Sequence, residues 1–232
     1  MIVYGRNPVR EALRGRRKVH RVWASRRAVD SEQWLSDARP QIADQDEIER
    51  LCGSLEHQGV CAEAAAYPYA DADRLLAAED ALVVCLDEVQ DPHNLGAVCR
   101  VAESAGAAGV VIPERRSAEV TPAACKASAG AVEHLAVARV GNLANWLGSA
   151  KQAGAWIYGA AAEEAAPYDT LDYGGRVVLV LGSEGRGLRP RVAATCDQLV
   201  ALPQRGRVNS LNVSTAAAAL MYGILHLRDH RA

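Results

Sequence analysis

Two stretches of this chain leave it little freedom of fold. Ala81 to Leu86 and Val177 to Leu181 are nearly continuous apolar runs. A strand with one wet face alternates apolar and polar residues. A strand without alternation is buried on both faces, as in a parallel sheet covered by helices. The sequence between and around these runs supplies the covers. Asn94 to Gly106 reads as a helix with Leu95, Val98, Val101 and Ala102 on one side. Gly109 to Ile112 is the next strand, Pro122 to Ala129 a helix, and Leu135 to Val137 a short strand. Asn142 caps a helix carrying Leu143, Trp146 and Leu147. Trp156 to Ala160 and Leu199 to Leu202 read as strands, and Leu211 to Leu227 as a long Ala-rich helix. Strands alternating with helices predict an α/β unit over residues 81–232, a mostly parallel sheet with helices on both faces.

The front of the chain reads as a separate, smaller α/β unit over residues 1–74, with 75–80 as linker. Asn7 caps a helix that begins at Pro8 and stops at Gly15. Val19 to Ala24 is a strand. Asp44 or Asp46 opens a helix with Ile48, Leu51 and Leu55, and Gly59 precedes a strand from Val60 to Ala64. The chain has no Phe and only 5% aromatic residues, so both cores are expected to be built from Ala, Val and Leu.

Charge singles out one segment. Residues 1–27 hold nine Arg or Lys and one acid, Glu11, for a net +8, whereas the chain total is −2 and the remainder therefore −10. Such a patch attracts a polyanion, although a solvated basic face has the same composition. Arg6, Arg16, Arg17, Lys18 and Arg21 are its candidate nucleic-acid contacts. No run of 18 apolar residues is present, so no membrane span is expected, and Met1 to Arg10 lacks the apolar stretch of a signal peptide. The six cysteines at 52, 61, 85, 99, 125 and 196 form no C-x-x-C pair. Reduced thiols in a cytoplasmic protein are expected, with no zinc site.

Three segments carry chemistry unusual for loops at strand ends. The first runs from Leu86 through Asp91-Pro92-His93-Asn94-Leu95-Gly96 to Arg100, leaving a strand and entering a helix at about Asn94. Arg100 lies six residues into that helix, where its side chain can return toward the loop and meet a phosphate. A surface pair with Glu103 or Glu88 is the alternative. The second is Leu181-Gly182-Ser183-Glu184-Gly185-Arg186-Gly187-Leu188. Its three glycines let backbone approach a ligand, or simply turn tightly. Its spacing is neither a dinucleotide fingerprint nor a phosphate loop. The third is Leu202-Pro203-Gln204-Arg205-Gly206-Arg207-Val208-Asn209-Ser210-Leu211-Asn212-Val213-Ser214. Ser210 reads as the N-cap of the last helix, with Asn212 in its first turn.

Together these segments resemble the signature motifs of the SpoU class of RNA 2′-O-methyltransferases, in the knotted SPOUT superfamily. The similarity covers about residues 80–232. Tyr4-Gly5-Arg6-Asn7-Pro8-Val9-Arg10-Glu11-Ala12-Leu13 is similar to the opening of the small substrate-binding domain of a bacterial subgroup whose best-known member methylates a guanosine of large-subunit ribosomal RNA. The resemblance implies a deep trefoil knot over about residues 180–215, a homodimer, no metal, and S-adenosylmethionine as cofactor. It places the cofactor against Gly182, Leu202 and Leu211, with Ala201, Ser210 and the Glu184-Gly185 peptide adjoining. It makes Asn94, Arg100, Glu184, Ser210 and Asn212 the catalytic set, with Arg100 also touching RNA. The implied reaction is attack of a ribose 2′-hydroxyl on the sulfonium methyl, with 23S rRNA as substrate. Family proposals make the matching arginine a general base, yet a guanidinium stays protonated in proteins, so a phosphate anchor is the alternative role. Transfer-RNA enzymes of the class usually lack the front module. Antibiotic-resistance enzymes acting on ribosomal RNA share the two-part plan. A non-catalytic RNA-binding protein would not need the intact polar set, and a dinucleotide enzyme would need a glycine fingerprint that is missing.

Overall fold

A computed structural model describes residues 1–162, 165–207 and 210–231. The front unit comprises β1 (Ile2–Tyr4), α1 (Arg6–Arg14), β2 (Val19–Ala24), α2 (Arg26–Ser31), α3 (Gln33–Asp37), β3 (Gln41–Ile42), α4 (Gln45–Cys52) and β4 (Val60–Ala64). Its sheet has the order β1-β4-β2-β3, with β4 antiparallel to both neighbours and β3 parallel to β2. The second unit comprises β5 (Leu82–Asp87), α5 (Pro92–Ser104), β6 (Gly109–Pro113), α6 (Pro122–Ala127), β7 (Val137–Val140), α7 (Leu143–Gln152), β8 (Trp156–Ala160), β9 (Ala166–Pro167), β10 (Val177–Gly182), α8 (Pro190–Ala193), β11 (Gln198–Ala201) and α9 (Val213–Arg231). Its strands run in the order β7-β6-β5-β10-β8-β11-β9, and every pairing among the described residues is parallel.

The apolar runs do what their lack of alternation demands. Residues of β5 point alternately to two buried faces. Leu82, Val84 and Leu86 join the core that includes Leu95 and Val98 of α5 and Leu220 and Ile224 of α9. Val83 and Cys85 join the opposite core, with Leu143 and Leu147 of α7. From β5 the chain moves outward to β6 and β7, then crosses to β8. Later β10 inserts between β5 and β8. The sheet therefore reverses direction beside β5, and ligands of open α/β sheets bind at such a switch, beyond the carboxyl ends of the strands.

Several local expectations are corrected. Helix α1 is capped by Gly5 at φ 95° with no side-chain cap, and Asn7 lies inside it. Helix α5 begins two residues early, at Pro92, because Asp91 accepts a hydrogen bond from the His93 N–H at 2.8 Å. Arg100 is thus its ninth residue. Helix α9 begins at Val213 and its cap is Asn212, whose Oδ1 accepts the Ser214 N–H at 2.9 Å, rather than Ser210. Val208 and Asn209 of the third motif lie outside the described residues. Among the described residues no helix is long and apolar enough to cross a membrane. The six cysteines are unpaired, and burial pushes the Cys61 thiol up to about 12 and the Cys125 thiol to about 11.

The two units share one core, in which Val3, Val9 and Val60 belong with Cys125, Val132 and Leu95. The stretch between them is fastened down. Tyr67 Oη donates to the carbonyls of Val132 and Leu135 at 2.9 and 3.0 Å, and the Ala70 N–H donates to Val137 at 2.8 Å. Arg17 corrects a second expectation. Its side chain and that of Glu133 are each 1% exposed and form a two-pronged ion pair, with Nε donating to Oε2 at 2.9 Å and Nη2 to Oε1. Burial works against the Arg17 charge, but the Glu133 bonds outweigh it and hold the guanidinium above its ordinary range. Arg17 therefore clamps the units together and has no face for nucleic acid.

Candidate active site

The three motifs meet beyond the carboxyl ends of β5, β8, β10 and β11. The second motif doubles back on itself: the Gly187 N–H donates to the Ser183 carbonyl at 2.9 Å, and Gly185 and Gly187 take φ of 77° and 64°. Those two positions favour glycine on conformational grounds. Gly182 is required for a different reason. A Cβ there would stand 2.1 Å from the Gly187 carbonyl carbon and 2.5 Å from the Leu188 nitrogen, so only glycine lets the loop close. Gly96 of the first motif plays the same part between helices, since a Cβ would lie 2.5 Å from the Ala124 carbonyl oxygen of α6.

Asn94, Glu184 and Asn212, one from each motif, form a hydrogen-bonded cluster. Asn94 Nδ2 donates to Glu184 Oε1 at 3.1 Å, and Asn212 Nδ2 donates to Asn94 Oδ1 at 3.0 Å and to the same Glu184 oxygen. Asn212 Oδ1 accepts from the backbone N–H and hydroxyl of Ser214. With its oxygen held by the helix start, the Asn212 amide has one orientation, and both its N–H bonds face the cluster. Glu184 Oε2 and one Asn94 N–H keep no partner among the described residues, which leaves one acceptor and one donor for a bound molecule.

Two cavities flank this cluster and share Ser183, Glu184 and Val213 as wall. One, of about 300 Å³, is lined by apolar side chains of Leu181, Val200, Leu202, Leu211 and Leu220 together with the Gly182–Gly187 loop. The other, of about 280 Å³, is polar and lined by Glu88, Gln90, Asp91, Asn94 and Arg186. An apolar chamber with a few convergent polar groups is how small-molecule sites are built. A polar chamber next to it suits a hydroxylated partner.

The other predicted residues fall as follows. Gly182, Gly185, Leu202, Ser210 and Leu211 line the apolar cavity, and Ser210 makes no hydrogen bond among the described residues. Ala201 does not line it, whereas its neighbours Val200 and Leu202 do, as period-2 alternation along β11 requires. Arg100 is exposed, lines neither cavity, and pairs with neither Glu103 nor Glu88. Glu88 pairs instead with Arg116 and Arg189, each at 3.5 Å. Sequence reasoning missed Ala160 to Ala162 and Glu88, which follow or end strands β8 and β5. Their position at the carboxyl ends of parallel strands was the available signal.

On the front unit, Arg6 pairs with Glu32 at 2.9 Å, and Arg10 and Arg14 both face Glu11. Arg16, Lys18 and Arg21 are exposed; Arg16 donates to the His134 carbonyl at 3.1 Å and Arg21 lies over the Trp23 ring. Together with Arg26 and Arg27, also exposed, they are the basic side chains of the segment that form no ion pair among the described residues.

Comparison with known proteins sharpens the picture. The model of the SpoU rRNA Methylase family matches residues 81–222, and that for RNA 2′-O ribose methyltransferase substrate binding matches residues 2–70. The chain is 39% identical over 239 residues to the putative TrmH family tRNA/rRNA methyltransferase YacO of Bacillus subtilis, covering 98% of this chain and 96% of that protein. It superposes on the SpoU methyltransferase AviRb of Streptomyces viridochromogenes with a TM-score of 0.84 at 26% identity, over 100% of this chain and 90% of that one. An AdoMet-bound rRNA methyltransferase from Sinorhizobium meliloti gives 0.81 at 25% identity, over 100% and 87%.

Proposed function

The chain belongs to the SpoU rRNA methylase family of RNA 2′-O-ribose methyltransferases that use S-adenosylmethionine, and from that premise we propose that it methylates a guanosine ribose in 23S rRNA. The observation that carries the reading of the site is the Asn94–Glu184–Asn212 cluster, standing between an apolar and a polar cavity. The choice of ribosomal RNA is supported by the front unit, which the Sinorhizobium rRNA methyltransferase shares over the whole of this chain. We further propose a homodimer packed through α9, on which Tyr222 is 51% exposed although Met221 is fully buried within the chain, and a knotted path over residues 180–215.

The apolar cavity fits the cofactor. Its aliphatic walls suit an adenosine, and the bare Cα of Gly182 keeps loop backbone close to the ligand. Gly182, Leu202 and Leu211 would hold it, with Ser210 and the Glu184-Gly185 peptide at its polar edge. When bound, S-adenosylmethionine supplies a methyl group on a sulfonium, a good leaving group that needs no metal. The chain's own work is alignment. Glu184 Oε2 and the free Asn94 N–H fix the ribose hydroxyl at the boundary of the two cavities, and Asn212 holds both groups in register. Arg100, exposed and without an ion pair among the described residues, anchors a substrate phosphate through its planar fork.

Methylation mapping tests the target. The protein is incubated with tritiated cofactor and with 23S rRNA or tRNA from cells lacking it. Label at one 2′-O-methylguanosine of 23S rRNA is expected, and label confined to tRNA would reassign the substrate.

Two further outcomes are expected. Gly182→Ala should abolish measurable cofactor binding in calorimetry, because the Gly182–Leu188 loop cannot close around a methyl group placed 2.1 Å from backbone. Replacing Arg16, Lys18 and Arg21 by Ala should weaken RNA binding and flatten its salt dependence. Each lost phosphate contact removes roughly 0.7–0.9 from the slope of log K against log salt. Filter binding across a salt series reads this directly, and an unchanged slope would return the three side chains to a solvated face.

A further inference from the structure

A third cavity, of about 370 Å³, opens in the front unit, away from both catalytic cavities. Its walls are Arg6, Ser25, Arg27, Gln45, His57 and Gln58 with a floor of Ala28 and Gly59. The volume falls within the range of ordinary ligand sites, about 300–1,000 Å³. Its polar groups are arranged for recognition. His57 is only 4% exposed, and its Nδ1 accepts the Gly59 N–H at 3.0 Å. A neutral imidazole so held carries its proton on Nε2. That N–H has no partner among the described residues, and the cavity lies against the ring. Arg6 spends Nη1 on Glu32 at 2.9 Å, while its Nε is buried without a hydrogen bond. Arg27 is exposed and has no ion pair among the described residues. Gln45 adds an exposed amide, and Gln58 is fixed by accepting the Arg6 N–H at 3.1 Å. Donors thus outnumber acceptors, two are cationic, and no acid is among the lining residues; Glu32, the partner of Arg6, is committed to it and to the Trp34 Nε1–H.

We propose that this cavity takes one unpaired nucleotide of the substrate RNA, its phosphate on Arg27 and Arg6 and its base edge on the His57 Nε2–H and the Gln45 amide. Splayed-out bases read by hydrogen bonds on their edges are the usual means of sequence-specific RNA recognition. A bare anion site would need neither the amides nor a buried neutral imidazole. The inference rests on the reading of the front unit as the part that grips RNA, and it adds the place and the chemistry of the grip.

The test uses the full chain. A short single-stranded RNA of mixed sequence carrying thiouridine is photo-crosslinked to the protein and the labelled peptides are identified. Affinity for 23S rRNA and KM and kcat for methylation are then compared for Arg27→Glu, Gln45→Ala and Arg26→Glu. Arg26 is the neighbouring exposed arginine, outside the cavity, and controls for charge alone. Crosslinks within residues 25–28 or 55–59 are expected. Arg27→Glu should weaken RNA binding roughly tenfold more than Arg26→Glu, the scale of one lost charge-assisted contact. Gln45→Ala should raise KM for RNA at unchanged kcat and unchanged cofactor affinity. Equal effects of Arg26→Glu and Arg27→Glu, or crosslinks confined to other peptides, would overturn the cavity while leaving the methyltransferase reading intact. A wild-type protein that labels no RNA would instead refute the methyltransferase reading, and the crosslinks and affinities would still decide the cavity.

Discussion

Asn212→Asp is expected to slow methyl transfer at saturating RNA by roughly 10²-fold or more while leaving the fold as stable as the parent. The residue has two roles that this substitution separates. As cap of α9 it needs an oxygen to accept the Ser214 N–H, and aspartate provides one. As the centre of the cluster it needs an N–H that donates to Asn94 and Glu184. A carboxylate there cannot donate, and it sets a second negative charge against Glu184, which drives the three groups apart. Asn212→Ala removes both roles and should add a stability loss of about 1 kcal/mol, the usual worth of a cap. If Asn212→Asp transferred methyl at a near-normal rate, the residue would be a helix cap only. Thermal melts and single-turnover rates on the two variants distinguish these outcomes.

The second large effect is structural. Glu133→Ala should destabilise the protein by about 3–5 kcal/mol, because it strands a buried guanidinium without its partner. Arg17 lies in the loop after α1 and Glu133 in the turn before β7, so the loss acts across the junction of the two units. Changing both members together, Arg17→Met with Glu133→Leu, should recover most of the stability, since apolar residues of similar volume replace buried pairs at little cost. Urea unfolding of the single and double variants measures this. A single variant within about 1 kcal/mol of the parent would mean that water reaches the pair, as it does at surface ion pairs. A fragment of residues 81–232 would carry the same defect, with Glu133 facing no guanidinium and Val132 and Cys125 stripped of Val3 and Val9.

How far the sequence reached follows from the range of the interactions involved. The buried strands were legible because burial on both faces is written locally, in runs such as Val177 to Leu181. The meeting of Asn94, Glu184 and Asn212 was foreseen from motif resemblance, since no local rule joins residues 90 and 118 positions apart. Arg17 looked like its neighbours Arg16 and Lys18, because the carboxylate that buries it stands 116 residues away. The start of α5 was legible and overlooked: Asp91 before Pro92 is a capping residue followed by the residue best suited to a first helical turn. The same competition misplaced the α9 cap, where Ser210 and Asn212 are both capping types and the second is held by Asn94 and Glu184, both remote in sequence. Strands β1 and β3, of three and two residues, carry too little pattern to read. The third cavity left no mark at all, because Arg27, Gln45 and His57 come from three separate elements.

The central claim is that the residues of the three motifs carry out ribose methylation, and Arg100 tests it most directly, because it is exposed, lines neither cavity and stands outside the Asn94–Glu184–Asn212 cluster. Arg100→Ala is mixed with tritiated S-adenosylmethionine and excess 23S rRNA in a single turnover, with calorimetry on the same preparation. The account predicts cofactor affinity within a few-fold of the parent and transfer slowed by roughly 10²-fold or more, with Arg100→Lys also impaired because an ammonium lacks the planar fork. Transfer by Arg100→Ala at a near-parental rate would contradict it and make Arg100 an ordinary surface arginine.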